Sequence, residues 1–102
     1  RTRMGGAWVD VVSIRHKGLR TFYEQDDTKG LKQDQVRRVR AVLTVLHAAT
    51  TVAELATPPG WRLHELKGDR AGTWSISISG NWRLTFRVVD DQIHDMDLED
   101  YH

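Results

Sequence analysis

TWSISISGNWRLTFRV, residues 73–88, alternates apolar and polar side chains, and the alternation keeps its phase across Gly80-Asn81. Trp74, Ile76 and Ile78 interleave with Thr73, Ser75, Ser77 and Ser79, and Trp82, Leu84, Phe86 and Val88 interleave with Arg83, Thr85 and Arg87. Side chains two residues apart share one face of a strand, so the pattern predicts two half-buried strands with a common apolar face. Gly80-Asn81 is a two-residue turn signal, which makes them an antiparallel hairpin.

Working outward, RLHEL (62–66) reads as a strand entering the hairpin through the glycine-bounded loop KGDRAG (67–72). VDDQI (89–93) turns the chain into a final strand that carries Met96 and Leu98 on one face and ends in Asp100, Tyr101 and His102. Upstream of Gly60 the period changes to 3.6. AWVDVVSI (7–14) is β-branched and predicts a first strand, and KGLRTFYEQ (17–25) predicts a short helix with Leu19, Phe22 and Tyr23 at helical spacing. A longer helix is expected from an Asp34 N-cap to Ala49, with Val36, Val39, Leu43 and Leu46 as its apolar stripe and Arg37, Arg38 and Arg40 off it. Thr51–Glu54 matches a capping box opening one more short turn, which Pro58-Pro59-Gly60 ends. The order β-α-α-β-β-β-β predicts an α+β fold, a twisted and mainly antiparallel sheet with two N-terminal helices packed on one face. One domain is expected over 1–102, with residues 1–6 read as tag-derived, native or disordered.

A chain of 102 residues that is 39% hydrophobic has room for one modest core. With no cysteine there is neither a disulfide framework nor a thiolate zinc site, in keeping with a reducing cytoplasm. No apolar leader and no membrane-spanning run is expected. The spacing of His and acidic residues fits no metal motif, and P-loop, dinucleotide and nucleophile-elbow signatures are missing, so neither metal nor cofactor is expected. The net charge of +1 conceals an asymmetry: residues 1–89 carry all 15 Lys and Arg against 8 acids, whereas residues 90–102 carry 6 acids and no Lys or Arg. A basic body suits a polyanion, and an acidic strand beside it suits internal pairing; a solvated charged surface accounts for the same counts.

Candidate chemistry sits on the sheet face away from the apolar one. Arg83, Thr85 and Arg87 share that side by alternation, and guanidinium forks suit phosphate oxygens, although arginines on a sheet face also simply keep it soluble. His64 and Lys67 stand where a strand runs into the glycine loop. A lone histidine is more often incidental than catalytic, and His16 and His47 carry only the bland reading.

Taken in order, RLHELKGDRAG, WSISI, NWRLTF and DYH, together with IRHKGLRTFYE upstream, resemble the HigB branch of the RelE-like toxins. The resemblance spans nearly the whole chain. It implies a β-α-α-β-β-β-β ribonuclease-like fold and cleavage of messenger RNA on the translating ribosome. It also implies a HigA-like helix-turn-helix antitoxin as partner, with operator DNA contacted only through the toxin-antitoxin complex, and no membrane association. Carried over by position, it implies catalytic roles for His64, Asp100, Tyr101 and His102 and phosphate contacts from Lys67 and Arg83. Many members read WSIRI where this chain has Ser77, so one phosphate-contacting guanidinium is either missing or supplied by Arg62, Arg70 or Arg87. Metal-free RNA cleavage needs a base for the 2′-hydroxyl, an acid for the departing 5′-oxygen and cations on the phosphate, which these residue types supply. A non-cleaving RNA- or ribosome-binding protein and an antitoxin-binding regulatory module remain compatible with the same residues.

Overall fold

In the computed structural model, which describes residues 8–100, the hairpin forms where the alternation places it: β2 runs Thr73–Ser79 and β3 runs Trp82–Val89. Gly80 adopts φ 55°, as the first position of a tight hairpin turn demands. β3 passes into β4 (Gln92–Asp100) through Asp90 and Asp91, both at positive φ, a conformation that aspartate tolerates better than most residues. β1 is only His64–Glu65, and the four strands lie in the order β1-β2-β3-β4, all antiparallel.

The expected first strand is realised differently. Its residues run parallel to β4 but touch it at two isolated bridges, Val11 with Ile93 and Ile14 with Met96. Four backbone hydrogen bonds pin it: Val12 N–H to the Ile93 carbonyl, Arg15 N–H to that of Met96, Ile93 N–H to that of Asp10, and Met96 N–H to that of Ser13. The interruption comes from β4, where Asp95 sits at φ 54° and the register with β3 shifts between Thr85 and Arg87. A bulged strand cannot offer a continuous ladder to its neighbour. The Ser13 hydroxyl accepts from Asp95 N–H at 2.8 Å and fills part of the gap.

Helix α1 is Lys17–Gln25, as the spacing predicts, and α2 is Gln33–Ala48. Lys32, not Asp34, is the N-cap of α2; the Gln35 carboxamide accepts from Lys32 N–H at 2.8 Å, and Asp34 instead accepts from the Ser79 hydroxyl at 2.9 Å. That use of Gln35 rotates the buried stripe to Gln35, Val39, Val42 and Leu46, leaving Val36 and Leu43 half-buried. The Thr51/Glu54 signal does open a short turn, Val52–Ala56, with the Glu54 carboxylate accepting from the N–H groups of Thr50 and Thr51.

Both helices cover the even-numbered face of the hairpin. Leu19, Phe22, Val39, Val42, Leu46 and Leu55 close over Ile76, Leu84, Phe86, Met96 and Leu98, all at most 5% exposed. Burying each such side chain contributes about 1.5–3 kcal/mol, and together they orient the sheet so that its other face is left for polar residues. Arg38 ties α2 to the sheet by donating to the carbonyls of Ser77 at 2.9 Å and Gly60 at 3.2 Å, while the Ser77 N–H is taken by the Trp61 carbonyl at 2.8 Å. α1 meets the loop before α2 through two glycines, where a Cβ on Gly18 lies 2.2 Å from the Gly30 carbonyl oxygen. Backbone cannot yield as a side chain does, so Gly18→Ala is expected to cost about 2 kcal/mol or more, read as a lowered midpoint in urea unfolding.

Candidate active site

Strand register assembles the polar face row by row, because directly opposed residues point to the same side. One row is His64, Ser75, Thr85 and Asp97, and the next is Ser77, Arg83 and Glu99. Arg87 extends the set beside Thr73. His64 and Thr85 are thus two strand spacings apart, about 10 Å between backbones. This face is not simply solvated: Ser75 and Thr85 are 1% and 2% exposed although they lie away from the apolar core.

His64 is exposed, and its Nδ1 lies 2.8 Å from the Arg62 carbonyl. A carbonyl only accepts, so Nδ1 carries a proton and Nε2 is the nitrogen available for proton transfer. Arg62 bends the chain to allow this, at φ 55°. Lys67, three residues on, caps the short turn Gly68–Arg70, and Glu65 closes the loop by accepting from Gly72 N–H at 2.9 Å. Gly68 and Gly72 sit at φ 68° and 94°, which suits glycine.

Arg70 leaves this loop and reaches β4, donating to both oxygens of Glu99 at 2.8 and 2.7 Å. The Thr85 hydroxyl donates to Glu99 Oε2 as well. Since the loop joins β1 to β2 and Glu99 is on the far strand, the Arg70 side chain crosses the polar face. The Arg70 guanidinium is the main cause that holds the Glu99 carboxyl below its ordinary value; partial burial opposes it, and the Thr85 hydroxyl and the charges of Arg70 and Arg83 reinforce it. Glu99 in turn raises Arg70. Arg87 is more loosely held, 3.9 Å from Asp95. A cavity of about 80 Å³ opens here, lined among others by Arg70, Thr85, Arg87, Asp97 and Glu99.

A depressed carboxylate contributes stability that is complete above the unfolded value, 4.5, and is lost as pH falls through the lower folded value. The melting temperature of the parent is therefore expected to fall more steeply below pH 4.5 than that of Glu99→Gln. Glu54, lowered chiefly by the Thr50 N–H, leaves a residual acid limb in both proteins. Thermal melts between pH 7 and pH 3 check this, and parallel curves refute it.

The structure therefore brings His64, Arg83, Arg87 and Arg70 onto one face, with Lys67 in the adjoining loop. Asp100 is placed otherwise. It is in register with Trp82, and Trp82 lies toward the helices, with the Lys32 ammonium 4.7 Å from its ring centroid. Asp100 thus stands on the helix side of β4, across the sheet from His64. Tyr101 and His102 lie outside the described residues. Glu99 as the partner of Arg70, with Thr85 donating to Glu99, is absent from the site expected on sequence; the signal that points to it is the acidic last strand beside a basic body. No cluster of three or more metal-ligating side chains occurs among the described residues, and none of their helices is long and apolar enough to cross a membrane.

The comparisons with known proteins agree with this architecture. Residues 12–102 match the family described as RelE-like toxin of type II toxin-antitoxin system HigB. The chain is 38% identical over 92 residues to Endoribonuclease HigB of Proteus vulgaris, covering 90% of this chain and 99% of that protein. To Toxin HigB-1 of Vibrio cholerae serotype O1 it is 32% identical over 80 residues, covering 78% and 84%. Among solved structures it is similar to YafQ from E. coli strain BL21(DE3), with TM-score 0.57 and 13% identity over 90% of each chain. A YafQ mutant gives TM-score 0.55 and 17% identity over 86% of this chain and 91% of that one; at such identities the likeness is one of fold. The chain belongs to the HigB-like family of RelE-like toxins. As a member of a type II toxin-antitoxin family, it has an antitoxin as its partner.

Proposed function

We propose that this toxin is an endoribonuclease that cuts messenger RNA on the translating ribosome in the cytoplasm, with a HigA-like helix-turn-helix antitoxin as its partner and operator DNA contacted through their complex. The name of the Proteus vulgaris relative supports the reaction class. The observation that carries the reading is His64 Nδ1 held by the Arg62 carbonyl, 2.8 Å away, on the same face as Arg83 and Arg87. In this reading one histidine of the pair His64 and His102 takes the proton from the 2′-hydroxyl, the 2′-oxygen attacks phosphorus, and the bond to the 5′-oxygen breaks as the other histidine protonates it. Lys67 and Arg83 hold the phosphate and balance the charge of the phosphorane. Asp100, two residues from His102 in sequence and across the sheet from His64, acts on His102. Tyr101 stacks on a base or assists proton transfer.

Ribosome dependence follows from charge. With its basic body offset by the acidic last strand to a net charge of +1, the domain has little general attraction for free RNA, so ribosomal contacts must position the message. Purified protein is expected to leave a naked message nearly intact and to cut the same message during translation, as primer extension reads. Equal cutting of both overturns ribosome dependence, and cutting of neither overturns the reaction class.

A further inference from the structure

We propose that Glu99 is a latch residue: in the RNA-free protein its carboxylate occupies the place that a phosphate of the message takes, and Arg70 passes from Glu99 to that phosphate when RNA docks. The proposal rests on the ribonuclease reading above, selects Arg70 from the candidates Arg62, Arg70 and Arg87 as a binding residue, and adds Glu99 as a positioning residue. Its basis is a set of donors converging on one anion. The planar fork of Arg70 meets both oxygens of Glu99 at 2.8 and 2.7 Å, and the hydroxyl of Thr85, itself 2% exposed, donates to the second oxygen. Arg83 stands directly opposite Glu99 in the ladder. A phosphodiester presents two non-bridging oxygens to such a fork just as a carboxylate does. Ser77, the third member of the row, brings no charge, so the cations at Glu99 are Arg83 within the row and Arg70 reaching over from the loop.

The contact is placed to open. The Arg70 and Glu99 side chains are 48% and 28% exposed, and the cavity beside them reaches solvent. The guanidinium keeps an anion on its fork throughout, so exchanging the carboxylate for a phosphate costs little. Arg70 also rides on a loop bounded by Gly68 and Gly72, near His64 and Lys67 in the chain, so a phosphate that captures Arg70 is drawn toward the proposed chemistry. Glu99 is ionised at neutral pH, so its hydrogen-bonded contact with Arg70 is closed there.

The test measures binding apart from cleavage. A 2′-O-methyl RNA oligonucleotide, which cannot be cut by 2′-oxygen attack, is titrated at several salt concentrations by fluorescence anisotropy. Glu99→Gln is expected to bind roughly tenfold more tightly than the parent, the gain from one added charge-assisted phosphate contact. Its salt dependence should steepen by about 0.7 in log–log slope, one extra phosphate neutralised on a single strand. Glu99→Gln combined with Arg70→Gln should show neither change. Asp97→Asn, which removes a neighbouring charge that acts on Arg70 through space without hydrogen-bonding it, should gain no more than about twofold, as screening of a charge not in contact allows. An unchanged Glu99→Gln affinity overturns the latch, as does a gain that persists without Arg70 or is matched by Asp97→Asn. Cleavage of a translated message by the parent checks the underlying reading separately: a parent that cuts while Glu99→Gln binds no better sinks the latch alone, whereas a parent that neither cuts nor binds removes both.

Discussion

Replacing His64 with alanine is expected to slow cleavage of a translated message about a hundredfold or more, the usual contribution of one general acid or base. Toxicity on induction should disappear with it. The fold should survive, because the imidazole is exposed and its one recorded hydrogen bond is to the Arg62 carbonyl, which lies at the surface and accepts from water once the ring is gone. Thermal unfolding and antitoxin binding near the parent values are therefore the necessary controls. A His64→Ala protein that folds and cuts within a few-fold of the parent rate removes His64 from the chemistry.

The second large effect is expected at His102. Removing this residue alone should abolish growth inhibition and cut cleavage by a similar factor of about a hundred or more, on the same acid–base argument. The strand before it is anchored independently, since Met96 and Leu98 are buried and Leu84 and Thr85 pair with Leu98 and Asp97. If His64 and His102 act in one concerted step, the double change should cost less than the product of the two single losses. Multiplying losses would mean independent roles. A protein without His102 that still cuts at the parent rate moves the second proton transfer to Tyr101, since Asp100 faces away from His64.

How far the sequence can be read depends on which interactions are local. The β2–β3 hairpin, α1 and the Asp90-Asp91 turn follow from period and turn chemistry within a few residues of one another, and they stand where expected. AWVDVVSI has strand composition, yet whether it pairs continuously is decided by Asp95, some eighty positions away, whose left-handed backbone breaks the ladder. Asp34 has the right chemistry for a cap, but the Ser79 hydroxyl claims it and the helix starts from Lys32, whose N–H Gln35 accepts, a contest no local window contains. The polar face was legible at His64, Arg83 and Arg87, because alternation alone orders a strand's two sides. It was not legible at Glu99, whose meaning comes from a loop folding back across two strands. Asp100 shows the converse: its neighbour in sequence is Glu99, yet one residue of pleat puts it on the other side of the sheet.

The way Ser77 is held bears on how the molecule behaves among copies of itself. TWSISIS is uncharged and alternates apolar Trp and Ile with hydroxyl residues, the kind of segment that recruits identical strands when its outer edge is bare. β1 covers that edge for only two residues. Further along, at Ser77, Trp61 has taken the N–H and the guanidinium of Arg38 has taken the carbonyl. A helix cation thus stands guard over the exposed margin of the sheet, with a charge where a second copy would have to add its backbone. Edge-to-edge pairing of two copies would have to displace that contact, which disfavours it.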